Sequence, residues 1–127
     1  MPLSYHIDRA RRLVTITGEY ADDTEWRTLL RRIGDDPAHQ PGFAFLRDLR
    51  SARHPVDAST VMRIVAVVRE FWEELRVSRA AIVTPRAMDT PAVVAHALAQ
   101  EQEIPLRAFT SYDAAIEWLE GGEPREP

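Results

Sequence analysis

Two short apolar runs, Phe43 to Leu46 and Ala80 to Thr84, flank a long segment of helical periodicity. Within that segment Val61, Ile64, Val65, Val68, Phe71, Trp72 and Leu75 recur at the spacing of one wide apolar stripe, and Asp57 can cap its start. A run that is apolar at every position has no face to offer water, so it predicts a strand covered on both sides. Strand, amphipathic helix and strand in succession imply parallel pairing, because parallel strands need a long crossover. This triplet dominates what the chain can fold into.

The flanking segments extend the alternation. Leu3, Tyr5 and Ile7 alternate with Ser4, His6 and Asp8, the period of a half-buried strand. Arg12 to Thr17 is rich in β-branched residues and ends at Gly18, so the two runs predict an antiparallel hairpin. Asp22 then opens a helix as N-cap, with Glu25 at the capping-box position. Trp26, Leu29, Leu30 and Ile33 form its inner face, Arg31 and Arg32 suit its negative end, and Gly34 to Pro37 stop it. Thr90-Pro91 starts a further helix to about Gln102, with Val93, Val94, Ala97 and Leu98 inward. Leu106 to Phe109 reads as the last strand, and Ser111 caps a closing helix carrying Ala115, Ile116, Trp118 and Leu119.

The predicted architecture is a single α/β domain over residues 1–120, of order β-β-α-β-α-β-α-β-α. It has a mixed sheet of about five strands and four helices, and a loose tail over 121–127. A chain of 127 residues suits one domain and can bury a core without a covalent staple. No cysteine is present, which excludes disulfides and fits a reducing cytosol. No apolar run reaches membrane-span length and the first ten residues lack a signal peptide's apolar stretch, so the expected location is cytoplasmic. A net charge of −4 argues against a general nucleic-acid binder. All sixteen basic residues are arginine and asparagine is absent too, a pattern that codon bias in a GC-rich genome accounts for.

No catalytic signature is present. The five glycines form no phosphate-binding loop, and there is no Gly-x-Ser-x-Gly elbow. His6, His39, His54 and His96 are scattered without the spacing of a zinc site, so neither metal nor cofactor is expected. One cluster stands out: Asp48, Arg50, Arg53, His54, Asp57, Ser59 and Thr60, charges of both signs, an imidazole and hydroxyls before and at a helix start. Thr84 and Arg86 follow the fourth strand at the same edge, where open parallel sheets tend to bind ligands and partners. Each of these residues also has a plain reading, as a solvated loop, a cap or a turn. Met62, Ala66 and Val67 widen the apolar stripe of the second helix, as a buried helix, a dimer surface or an apolar ligand groove would require.

Several segments together resemble the STAS domain, the fold of bacterial anti-sigma factor antagonists, and within it the SpoIIAA-like group. Leu13-Val14-Thr15-Ile16-Thr17-Gly18-Glu19-Tyr20 followed by Asp22-Asp23-Thr24 looks like the opening strand, Gly-Glu turn and helix start. Asp48 and then Asp57-Ala58-Ser59-Thr60 are similar in spacing to the family's acidic strand end and Asp-Ser-Ser-Gly motif. Ala81-Ile82-Val83-Thr84-Pro85 and the run from Phe109 to Leu119 look like its last two strands and final helix. The long helix from Pro91 is closer to the SpoIIAA-like group, which resembles CRAL-TRIO lipid-transfer domains in fold.

The resemblance implies a non-enzymatic regulatory module that docks a protein partner, a regulatory kinase-like or sigma-pathway protein in the family's terms, through Asp48 to Thr60. In that family the first serine of the motif accepts phosphate. Ala58 stands there in this chain, so the serine phosphoswitch is expected to be missing. A second reading is a small-molecule or lipid binder with an apolar groove beside the second and third helices. A third is an enzyme with Asp48 and His54 as an acid/base pair. A homodimer fits either of the first two.

Overall fold

The computed structural model describes residues 3–19, 22–51, 58–84, 97, 100–101 and 103–121. Five strands form one sheet in the order β1 (Ser4–Asp8), β2 (Leu13–Thr17), β3 (Ala44–Asp48), β4 (Ala80–Val83) and β5 (Leu106–Phe109). The first two pair antiparallel, with Tyr5 opposite Ile16. Every later pairing is parallel, with Phe45 opposite Ala80 and Val83 opposite Phe109. The described residues hold three helices, α1 (Asp23–Asp35), α2 (Ala58–Leu75) and α3 (Tyr112–Leu119). Ala97, Gln100 and Glu101 are also helical, whereas the rest of the helix expected at 91–102 lies outside the described residues, as does the tail 122–127.

Strand order equals chain order, and that decides where the helices go. Each crossover steps the same way across the sheet, so crossovers of one hand put their helices on one face. Accordingly α1 and α2 share a core with Val14, Ile16, Phe45 and Ile82. Trp26, Leu29, Leu30 and Ile33 supply the α1 side, and Ile64, Val65, Val67, Phe71 and Leu75 the α2 side. The closing helix α3 covers the other face, packing Ala115, Ile116, Trp118 and Leu119 on Leu13, Ala44, Leu46, Ala81 and Val83. The sheet is therefore sandwiched at β3 and β4, and β4 is buried at every position.

Local signals explain the element ends. Asp22 accepts the Glu25 N–H at 2.8 Å, the first half of the expected capping box. The second half is replaced by a longer link: the Glu25 carboxylate accepts from the Leu3 N–H at 3.0 Å, tying the start of β1 to α1. Ser111 caps α3 by accepting from the Ala114 N–H at 3.1 Å. α1 runs through Gly34 rather than stopping there. A Cβ on that residue would lie 3.0 Å from Leu75 Cδ2, so the glycine lets the ends of α1 and α2 approach. The two helices are also joined by Arg27, whose Nη2 donates to Glu70 Oε2 at 3.1 Å.

Of the three residues that widen the α2 stripe, Val67 is buried, while Met62 and Ala66 face outward, Met62 at 53% exposure. No helix among the described residues is long and apolar enough to cross a membrane.

Candidate functional site

The parallel ladder continues past the formal ends of the strands. The Leu49 N–H donates to the Val83 carbonyl at 2.9 Å, and the Thr84 N–H to the Phe109 carbonyl at 2.9 Å. At Leu49 and Thr84 the carboxyl edge of the sheet is thus still tied together by backbone hydrogen bonds. Asp48 is the last residue of β3, not part of the loop that follows it in the sequence reading.

Strand alternation sends Arg47 and Asp48 to opposite faces, and both carry charge. Asp48 is on the α3 side. The Arg50 fork closes on it in two bonds, Nε to Oδ1 at 3.0 Å and Nη2 to Oδ2 at 2.8 Å. The Arg50 backbone N–H adds a third bond to Oδ1 at 3.0 Å. The Arg50 guanidinium then lies over the Tyr112 ring, 4.4 Å from its centroid. One arginine so connects the end of β3 to the first residue of α3. Hydrogen bonding from Arg50 holds the Asp48 carboxyl below the usual carboxylate range, outweighing partial burial. With both oxygens engaged, Asp48 is a poor proton acceptor near neutral pH. Arg50 stays half-exposed, and its charge is strengthened by Asp48. This is a fixed charge pair with an aromatic backing, an arrangement suited to recognition.

Arg47 is on the other face, 5% exposed, within the core formed with α1. Its Nη2 donates to the Gly18 carbonyl at 2.7 Å and its Nη1 to the Ile16 carbonyl at 3.3 Å. The guanidinium stacks 5.7 Å from the Trp26 ring centroid, and Nε is buried with no hydrogen-bond partner. Burial drops its pKa to about 10, which still leaves it charged at neutral pH. Arg47 also lines a cavity of about 30 Å³ walled by Trp26, Ile64, Phe71 and Ile82. That volume has room for one or two waters, far below the roughly 300–1,000 Å³ of ligand pockets. The groove expected between α2 and the helix at 91–102 falls largely outside the described residues.

The predicted site residues separate into four groups. Asp48 and Arg50 are brought together. Thr84 is at the same edge but buried, 4% exposed, so its contribution is to the backbone ladder rather than the surface. Ser59 is exposed in the first turn of α2, and Thr60 is helical, its side chain outside the description. Arg53, His54, Asp57 and Arg86 lie outside the described residues, and with them the Asp48–His54 acid/base pairing.

Sequence reasoning missed Arg47 and Tyr112. A signal for Arg47 existed: Phe45, Arg47 and Leu49 continue the period-two pattern of an inward face beyond Leu46, where the apolar run stops. Tyr112 has none, because only the fold brings the start of α3 to the end of β3. Among the described residues no group of carboxylates and histidines is arranged to hold a metal. The chain matches no protein-family model, no curated protein and no solved structure.

Proposed function

We propose that this chain is a non-enzymatic bacterial regulatory module of STAS-like, SpoIIAA-like type. It docks a protein partner on the carboxyl edge of its sheet, in the cytoplasm, without a serine phosphoswitch. The observation that supports this most is the Asp48–Arg50–Tyr112 arrangement. Arginine and tyrosine dominate the energetics of protein interfaces. An arginine already held by a bidentate carboxylate and an aromatic ring loses little rotamer freedom when a partner arrives. Here Arg50 is fixed in that way yet remains half-exposed. The reading also draws on the general fold class, an α/β chain with a five-stranded mixed sheet whose last four strands are parallel.

The test is affinity capture from the native host, with wild type, Arg50→Ala, Tyr112→Ala and Arg27→Ala as baits and quantitative mass spectrometry as readout. Arg27 is the control, because it joins α1 to α2 on the opposite face. The expected result is a protein enriched by wild type and Arg27→Ala and lost with the other two. An identical partner set on all four baits would sink the proposal.

A further inference from the structure

The opposite edge of the sheet, at the amino ends of β3 and β4, carries a second cluster. A cleft of about 510 Å³ opens there, with Arg11, Arg12 and Arg79 on its walls and Glu120 as the one carboxylate among its described lining residues. Among the described residues, three cations against one anion stand out in a chain of net charge −4. The volume lies in the roughly 300–1,000 Å³ range of small-molecule sites.

Arg79 is held in place, and Arg11 and Arg12 keep donors to spare. Arg79 donates from Nη1 to the Trp118 carbonyl at 2.7 Å and stacks 5.0 Å from the Trp118 ring centroid. Arg12 lies 5.9 Å from the Phe43 ring centroid, and among the described residues its guanidinium has no hydrogen bond and no ion pair. Arg11 approaches Glu120 only at 3.7 Å, beyond hydrogen-bond length, and both side chains are half-exposed. Gly42 makes the space: a Cβ there would lie 3.1 Å from Arg12 Nη2. The hairpin turn, with Arg12 at φ +57°, delivers Arg11 and Arg12 side by side to this end of β3.

From this geometry we infer a binding site for a small phosphate-bearing molecule between the β1–β2 turn and the end of α3. Guanidinium forks match phosphate oxygens in bidentate pairs, and spare donors on Arg11 and Arg12 face the same cleft. Ala44 and Leu119 supply an apolar wall for the remainder of the ligand. This site is independent of the docking edge, where Arg50 is committed to Asp48.

Titration with sodium pyrophosphate at constant ionic strength, followed by two-dimensional amide NMR, tests it, with sodium chloride as the control salt. Saturable shifts are expected at residues 10–12, 42–44, 78–79 and 119–121. Arg12→Gln or Arg11→Gln should weaken the binding about tenfold, the loss of one charge-assisted contact. Arg50→Gln should leave it unchanged. Because Arg11 is half-exposed and outside the core, its variant keeps the test valid if Arg12→Gln perturbs the turn. Absence of saturable shifts in the cleft overturns the inference. So does wild-type affinity in both glutamine variants.

Discussion

The Nη2 of Arg47 reaches the Gly18 carbonyl at 2.7 Å, so a buried guanidinium closes the gap where β2 and β3 part. Its Cζ lies 5.7 Å from the ring centroid of Trp26, the first large core residue of α1. A charge in this place is costly to desolvate, and an apolar side chain of similar length would avoid that cost.

Arg47→Met sheds that cost but also loses the two carbonyl bonds, so the terms offset and it is expected to unfold near the wild-type urea concentration. Both variants leave the Ile16 and Gly18 carbonyls without their donor, but only Arg47→Ala also leaves a cavity beside Trp26, so it should be about 2–4 kcal/mol less stable than Arg47→Met. Urea denaturation of the two variants checks this. Equal loss in both would mean that the two carbonyl bonds, not packing, hold this corner.

The Asp48–Arg50 pair has a signature in pH. The folded-state pKa of Asp48 is depressed, chiefly by the Arg50 hydrogen bonds. A depressed carboxylate contributes stability that is present above its unfolded pKa and lost as pH falls through the folded value. The stability difference between wild type and Asp48→Asn should thus be steady from neutral pH down to about 4, the unfolded carboxylate value, and shrink below it. Thermal unfolding across that range measures it, and a difference that grows on acidification would contradict the assignment.

Ser111 is worth more than its exposure implies. It is the N-cap of α3, the eight-residue helix that packs on β3, β4 and β5 on one face of the sheet. Removing a cap side chain costs about 0.5–2 kcal/mol. Ser111→Ala should lose about 1 kcal/mol on that scale, and Ser111→Asp should recover it. Near-ultraviolet circular dichroism of Trp118 should weaken with the alanine variant, since that ring packs in the α3 core.

The elements themselves were legible in the residues. Period-two alternation marked β1, and a capping aspartate with an inward stripe marked α1. The continuous apolar runs marked β3 and β4. These signals are local: they depend on the chain's own repeat and on which backbone donors a side chain can reach. Strand ends were harder to read, because β3 continues through Arg47 and Asp48 after its apolar run has stopped.

The amino-acid sequence by itself determined a mixed α/β sheet with α1 and α2 as amphipathic covers, because apolar period and caps act within a few residues. Tertiary structure alone decided which charges met. Alternation at the end of β3 turned Arg47 into the core and Asp48 outward, though both belong to one charged stretch of sequence. Packing of α3 across the far face then brought Tyr112 to Arg50, and it set Glu120 beside Arg11 at the other end. Such meetings join residues far apart in the chain, so no local pattern encodes them. They follow only when burial of both sheet faces has fixed where the helices lie.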